Sequence, residues 1–319
     1  MRIIVCREFL AIPPSKRYLL QLHPQIMTKT IWMFPGQGSQ STGMGQDLLN
    51  IPTAKAKFDQ ASEILGWSVS DRCNGDIETL SQTRYTQPCL YVVEGAIADE
   101  LKAQGKTPDY VAGHSLGEYV ALYAAGVFDF ETGLKLVQQR ANLMNQASGG
   151  KMAALIGFKR DELNAAIAET DGVSLANDNS SAQVVITGEP DAVDKIMTTV
   201  KAKRAIPLAV SGAFHSPYMA DAAEEFNKIL TEAPFSNAAI PVLSNTDPAA
   251  TSDAAALKNR LIAQMTGSVR WRETMGNFAG DGVTEAIEIG PGKVLTGLLK
   301  REHKGIVLQN ITGLEALNG

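Results

Sequence analysis

The sequence predicts an α/β protein: a parallel sheet covered by helices, with a small ferredoxin-like module inserted near its middle. Three observations lead there. In the first half of the chain, short apolar runs alternate with helix-length periodic segments, as a parallel sheet with helical crossovers requires. Residues 149–211 then read as strand, helix, two strands, helix, strand, the order of a ferredoxin-like unit. After residue 211 the strand–helix alternation resumes, so 30–148 and 212–319 form one large domain around the insertion.

Element by element, 31–34 is an apolar run before Pro35-Gly36-Gln37-Gly38, a buried strand feeding a glycine loop. Apolar residues recur at helical spacing over 53–65 (Phe58, Ala61, Ile64, Leu65) and 87–104 (Leu90, Val93, Ile97, Leu101). The second of these takes Thr86 as N-cap and Pro88 in its first turn. Residues 110–112 make a short strand that turns at Ser115 into an alanine-rich helix over 116–125, and a further helix spans 130–147. In the insertion, 152–158, 173–176, 184–187 and 205–210 are strands, and 161–169 and 190–203 are helices. Asn177-Asp178-Asn179-Ser180 reads as the polar turn between the middle two strands. Beyond the insertion, Ser216 caps a helix over 217–232 with Pro217 at its first position. A strand at 240–243, two helices, a strand at 286–289 ending in Gly290-Pro291-Gly292, and a last helix and strand complete the chain.

Composition excludes several classes. The chain has 319 residues, 45% of them apolar, enough for one large domain or two packed ones. A net charge of −5 leaves no basic excess for nucleic acid. Cys6, Cys73 and Cys89 are odd in number, widely spaced and without a CxxC, which argues against a disulfide framework or a cysteine-rich zinc site and suits a reducing cytoplasm. The four histidines, His23, His114, His215 and His303, form no HExxH, so no metal site is expected. No run of about 18 apolar residues predicts a membrane span. Residues 1–29 lack the unbroken apolar core of a signal peptide. They read as an N-terminal extension or tail, with the folded chain starting near Thr30; packing of their apolar residues on the surface is the other reading.

Gly113-His114-Ser115-Leu116-Gly117 fits G-x-S-x-G between a strand and a helix. Such a strained turn needs glycines beside the serine and aims its hydroxyl at a helix N-terminus. There the N–H of Leu116 and the helix dipole can stabilise an oxyanion. Ser115 is therefore a candidate nucleophile for acyl transfer, although with Glu118 it also fits the capping box S-x-x-E, which would make it only a helix start. A serine needs a base. His23 lies in the extension, His303 near the end of a charged helix and His114 inside the turn. His215, at a strand end before a helix, is the candidate; a loop histidine with purely local hydrogen bonds is the alternative. The positive end of the following helix favours neutral imidazole. No acid stands out as a third member, and Asp221 and Asp247 are both possible. The glycine loop at Gln37 can offer a second oxyanion N–H or be an ordinary turn, and it is neither a P-loop nor GxGxxG. Arg140 shares a helical stripe with Leu136 and Leu143, flanked by Val137 and Met144, so it is a snorkelling surface cation or a buried anion clamp.

Five segments occur in order: FPGQGSQ (34–40), GHSLGEY (113–119), QRANLM (139–144), GAFHSPYM (212–219) and EIGPGKVL (288–295). In combination they resemble the malonyl-CoA:acyl carrier protein transacylases of fatty acid synthesis and the related acyltransferase domains of polyketide synthases, over about residues 30–310. The resemblance implies a hydrolase-like α/β domain with a ferredoxin-like insertion. It implies that Ser115 carries the malonyl group, with His215 as its base and acid. Gln37 and Leu116 would supply oxyanion N–H groups, and Arg140 would bind the malonyl carboxylate in a pocket walled by Met144 and Phe214. The backbone carbonyl of Gln264, in LIAQMTGSVRW, would orient His215 in a Ser-His dyad without an acid. The implied partners are malonyl-CoA and an acyl carrier protein, whose phosphopantetheine arm replaces any cofactor on this chain. A cytoplasmic monomer is expected. The residues before Thr30 depart from the family pattern.

Two other readings share part of this set. A serine hydrolase would use Ser115 and His215 but has no need of Arg140 in the pocket. A catalytically silent docking module for carrier proteins would keep the fold, and an intact Ser, His and Arg set argues against it.

Overall fold

The computed structural model describes residues 28–210 and 212–317. Strand β1 (Lys29–Phe34) carries four consecutive buried residues, Ile31 to Phe34, because both faces of a parallel strand are covered. A 3-10 turn (Asp47–Asn50), α1 (Pro52–Leu65), α2 (Val69–Asn74), α3 (Ile77–Leu80) and α4 (Thr83–Ala103) lead to β2 (Tyr110–Gly113). Helices α5 (Gly117–Ala124) and α6 (Phe130–Gln146) follow. The inserted module is β3 (Lys151–Phe158), α7 (Arg160–Ala168), β4 (Val173–Ser180), β5 (Gln183–Gly188), α8 (Pro190–Thr199) and β6 (Ala202–Pro207). After a 3-10 turn (Pro217–Met219) come α9 (Ala220–Glu232), β7 (Val242–Leu243), α10 (Ala254–Gln264), α11 (Trp271–Gly280), β8 (Val283–Ile289), α12 (Val294–Glu302), β9 (Val307–Ile311) and α13 (Leu314–Leu317). Among the described residues no helix is long and apolar enough to cross a membrane.

The large sheet runs β7-β2-β1-β8-β9, every pairing parallel. Alternation along β1 divides the core: Trp32 and Phe34 face the layer holding α4 and α5, while Ile31 and Met33 face the α11 and α12 side. The module forms its own antiparallel sheet, β4-β5-β3-β6, the order of a ferredoxin-like fold, with its own core of Leu155, Leu163, Ile186 and Ile196. The α/β class and both sheets are those the sequence predicts.

Several boundaries differ from the sequence reading. Of the expected extension, residues 1–27 lie outside the described residues, and Lys29 is already in the sheet, paired with Val283. Helix α4 starts at Thr83 rather than 87. Thr86 lies inside it, donating to the carbonyls of Leu80 and Gln82, and Pro88 falls in its second turn. Residues 201–203 leave the α8 helix, since Ala202 pairs with Phe158 and begins β6. The expected 217–232 helix splits, with Ser216 capping only the 3-10 turn. The largest error concerns Asn177-Asp178-Asn179-Ser180, which are strand and not turn. Asp178 finds partners in both domains: its N–H donates to the Val269 carbonyl and its carboxylate takes Arg272 at 2.9 Å, both of the large domain, and Arg160 of the module at 2.8 Å. This polar half of β4 fastens the module to the large domain.

One acid in the core has no partner. Glu94 of α4 is fully buried, and neither carboxylate oxygen accepts a hydrogen bond among the described residues. Burial first, and the neighbouring Glu288 second, push its pKa well above the ordinary carboxylate range. Glu288 itself accepts the N–H groups of Val294, Leu295 and Thr296 at the start of α12. A raised folded-state pKa contributes stability at low pH, and that stability is lost as pH rises through the folded value. Glu94→Gln, isosteric with the protonated acid, should therefore melt with wild type at acid pH and above it at alkaline pH. Thermal unfolding across that range checks this; parallel curves would show that Glu94 ionises without cost.

Candidate active site

Strand β2 ends at Gly113 and the chain reverses into α5 so tightly that neither flanking glycine can carry a side chain. A Cβ on Gly113 would sit 1.9 Å from the Gly117 backbone, and one on Gly117 would sit 2.0 Å from the Phe34 carbonyl oxygen. Ser115, between them, adopts φ +52°, a left-handed conformation that costs a non-glycine residue about 1–3 kcal/mol. Asn245, just beyond β7, holds the turn in place. Its Oδ1 accepts the Ser115 N–H at 2.7 Å and its Nδ2 donates to the Gly113 carbonyl at 2.6 Å. Ser115 does not cap the helix; its Oγ points away, to the base.

His215 lies in the loop before the Ser216-capped turn, also left-handed at φ +56°. Its Nε2 is 2.8 Å from Ser115 Oγ. Its Nδ1 faces the backbone carbonyls of Gln264 at 3.0 Å and Gly267 at 3.2 Å. Carbonyls only accept, so Nδ1 carries the proton and Nε2 presents its lone pair to the serine hydroxyl. Neither acid considered as a third member contacts it: Asp247 pairs with Arg260, and Asp221 lies in the first turn of α9. Burial, then the charge of Arg140, push the His215 pKa down to about 3, so it stands neutral as a base must.

Arg140 of α6 is buried, 1% exposed, which removes the snorkelling surface reading. Its Nη1 donates to Gln87 Oε1 at 2.6 Å; its Nη2 donates to Ser115 Oγ at 3.1 Å and Gln264 Oε1 at 3.0 Å. The Tyr119 ring lies 5.3 Å from the guanidinium carbon, and Nε has no acceptor among the described residues. Arginine keeps its charge even here. Ser115 and this cation together line a cavity of about 100 Å³. Gln37, Leu116, Met144 and Phe214 all line it. The backbone N–H groups of Gln37 and Leu116 find no acceptor among the described residues, so both are available to an oxyanion. All eight residues singled out in the sequence thus meet at one place: Ser115, His215, Gln37, Leu116, Arg140, Met144, Phe214 and Gln264.

Sequence reasoning missed others. Gln87 anchors Arg140 and also donates to Met144 Sδ at 3.3 Å. Met152, Val185, Leu208 and Val210 bring the inserted module into the cavity wall. Glu118 lies beneath the nucleophile turn, its Oε2 accepting from Gln264 Nε2 at 2.8 Å and the Asn245 N–H at 3.2 Å. The placement of Gln87 beside a helical proline and of Asn245 just past a strand was the only local signal for either.

The acyl transferase domain model matches residues 31–313. The chain belongs to the acyl transferase family. Within it, the malonyl CoA-acyl carrier protein transacylase of Synechocystis sp. is 57% identical over 290 residues, covering 91% of this chain and 99% of that protein. The crystal structure of that Synechocystis enzyme superposes with a TM-score of 0.90 over 91% of this chain and 99% of its own. A polyketide biosynthesis malonyl CoA-acyl carrier protein transacylase of Bacillus subtilis is 42% identical, covering 86% of this chain and 96% of that protein. A malonyl-transacylase solved in complex with its type II polyketide acyl carrier protein is 37% identical, with a TM-score of 0.88 over 91% of this chain and 98% of its own. In this chain a serine, a histidine held by backbone carbonyls and a buried cation form one hydrogen-bonded set.

The depressed basicity of His215 has a direct readout. Its ring resonances, assigned by their loss in His215→Ala, should not titrate between the ordinary imidazole value and mildly acid pH. In Arg140→Ala the midpoint should move up but stay below the ordinary value, because burial is the larger cause. Titration of wild type at the ordinary imidazole value would contradict the assignment.

Proposed function

We propose that this chain transfers the malonyl group from malonyl-CoA to the phosphopantetheine thiol of an acyl carrier protein, for fatty acid or polyketide synthesis. The observation that carries this reading is the buried Arg140 guanidinium 3.1 Å from Ser115 Oγ. A hydrolase of neutral esters gains nothing from a buried cation there. A malonyl thioester differs from an acetyl thioester by one carboxylate, costly to bury unpaired and well matched by a planar guanidinium.

In the proposed reaction, His215 Nε2 takes the Ser115 hydroxyl proton as Oγ attacks the thioester carbonyl. The tetrahedral oxyanion forms against the N–H groups of Gln37 and Leu116. Collapse expels the CoA thiolate, which receives the proton from His215 and leaves malonyl-Ser115. The carrier thiol then gives its proton to His215 and attacks the ester carbonyl, and collapse returns the proton to Ser115. The Gln264 carbonyl holds the imidazole through both halves, so the dyad needs no carboxylate. The scheme uses no cofactor or metal on this chain. The proposed setting is the cytoplasm, where the unpaired thiols of Cys73 and Cys89 stay reduced.

Intact mass after mixing with malonyl-CoA should show one malonyl adduct on the Ser115 peptide, discharged by added carrier protein. An adduct that persists in Ser115→Ala, or malonate released without carrier protein, would overturn the reading. Arg140→Ala should cut kcat/KM for malonyl-CoA by about 10- to 100-fold, the worth of a hydrogen bond to a charged group at 1.36 kcal/mol per decade. Acetyl-CoA should lose little, and an equal fall for both would make Arg140 structural. Phe214 is 5% exposed and walls the cavity. Phe214→Ser should therefore shift use toward methylmalonyl-CoA, in part only, since a methyl group is worth about 1–3 kcal/mol.

A further inference from the structure

Arg140 is a buried cation whose three hydrogen-bond partners, Gln87, Ser115 and Gln264, are all neutral. A buried charge needs a counter-charge. The anion that answers it is one residue removed. Gln264 accepts from Arg140 through Oε1 and donates through Nε2 to Glu118 Oε2 at 2.8 Å, so a single amide dipole links the cation to a carboxylate. Glu118 is itself buried, 1% exposed, and its Oε1 accepts no hydrogen bond among the described residues. The same Nε2 donates to the Ser115 carbonyl at 2.8 Å, so the link is tied to the nucleophile turn.

We propose that Glu118 is the counter-charge of the empty site and takes up a proton from solvent when a substrate carboxylate occupies Arg140. The proposal rests on the malonyl reading above. In the empty enzyme the pair Arg140 and Glu118 is neutral in sum. The malonyl carboxylate pairs with Arg140 and brings one more negative charge into the same buried volume. One carboxylate must then be neutralised. The malonyl group is gripped by the guanidinium, whereas Glu118 keeps two neutral donors and one orphaned oxygen, so Glu118 takes the proton. The Oε2 bonds from Gln264 and Asn245 survive this change, because a protonated acid still accepts through its carbonyl oxygen. The proton returns to solvent when the malonyl group leaves on the carrier thiol, so the cycle is balanced.

The other titratable groups facing Glu118 leave it this role. Tyr119, beside it on α5, is held protonated by burial. His215, on the loop after the module, and His114, in the nucleophile turn, are both held neutral by burial first. Arg140, on α6, remains the cation. Burial is the largest influence and raises the Glu118 pKa above the ordinary carboxylate range, while the donors Gln264 and Asn245 and the charge of Arg140 oppose that rise.

The test is calorimetric. Malonyl-CoA is titrated into the Ser115→Ala protein, which binds without acylation, in two buffers of different ionisation enthalpy near neutral pH. Acetyl-CoA, with identical phosphates and no carboxylate, is the reference. More protons should be taken up with malonyl-CoA than with acetyl-CoA, and the excess should vanish in Ser115→Ala/Glu118→Gln. No excess, or an excess that survives Glu118→Gln, would overturn the proposal. If the double variant does not fold, the pH dependence of affinity in the Ser115→Ala protein decides. Affinity for malonyl-CoA should fall with rising pH by up to about tenfold per unit for one linked proton, with acetyl-CoA unaffected. Equal profiles for the two ligands overturn the idea. Failure of the malonyl reading looks different, since the wild-type protein would then form no malonyl adduct on Ser115.

Discussion

Arg140 carries a charge that no working pH removes, and the fold buries it beside the nucleophile. Much of the site answers to that one constraint. Gln87 and Gln264 exist in their observed positions as acceptors for its N–H groups, and Tyr119 presents a ring to its face. The same charge, acting with burial, keeps His215 unprotonated. In the proposed reaction the cation that would bind the substrate carboxylate therefore also favours the neutral imidazole facing the serine.

Strain is the second organising feature. Among the described residues, Ser115 and His215 are the non-glycine residues with left-handed backbones. Each is over-determined by groups distant in sequence: Asn245 for the first, the Gln264 and Gly267 carbonyls for the second. A strained residue persists only where its surroundings leave no cheaper arrangement. Ser115 Oγ and His215 Nε2 face each other at 2.8 Å because two such corners are locked from behind.

The parts of this arrangement that are local were legible in the sequence. The G-x-S-x-G turn announces itself because a sharp strand-to-helix reversal needs glycines at fixed offsets. Periodicity located most helices, and the alternation of strands and helices gave the class of both sheets, though not the strand order of the large one. Backbone atoms leave no such trace: nothing in the residue type of Gln264 says that its carbonyl orients a histidine, and only the family resemblance pointed there. Asn245 and Glu118 act across 130 and 127 residues of sequence, beyond any spacing rule. Asn177 to Ser180 misled because polar residues signal turns when their partners are water. Here the partners are arginines and backbone groups of other elements, and the segment stays a strand.

The register of the large sheet bears on how the molecule comes into being. Strand β1, made first, lies between β2 and β8, and Trp32 pairs with Ile287. Until α11, β8 and α12 leave the ribosome, one edge of β1 has no neighbour, and the face carrying Ile31 and Met33 lacks the helices that cover it. Such an edge invites pairing with other nascent chains, and pairings so distant in sequence form slowly. Gln264 also emerges late, so the hydrogen-bonded set around Ser115 cannot assemble on a partial chain. Partial chains that stop short of β8 would be sticky and inert together.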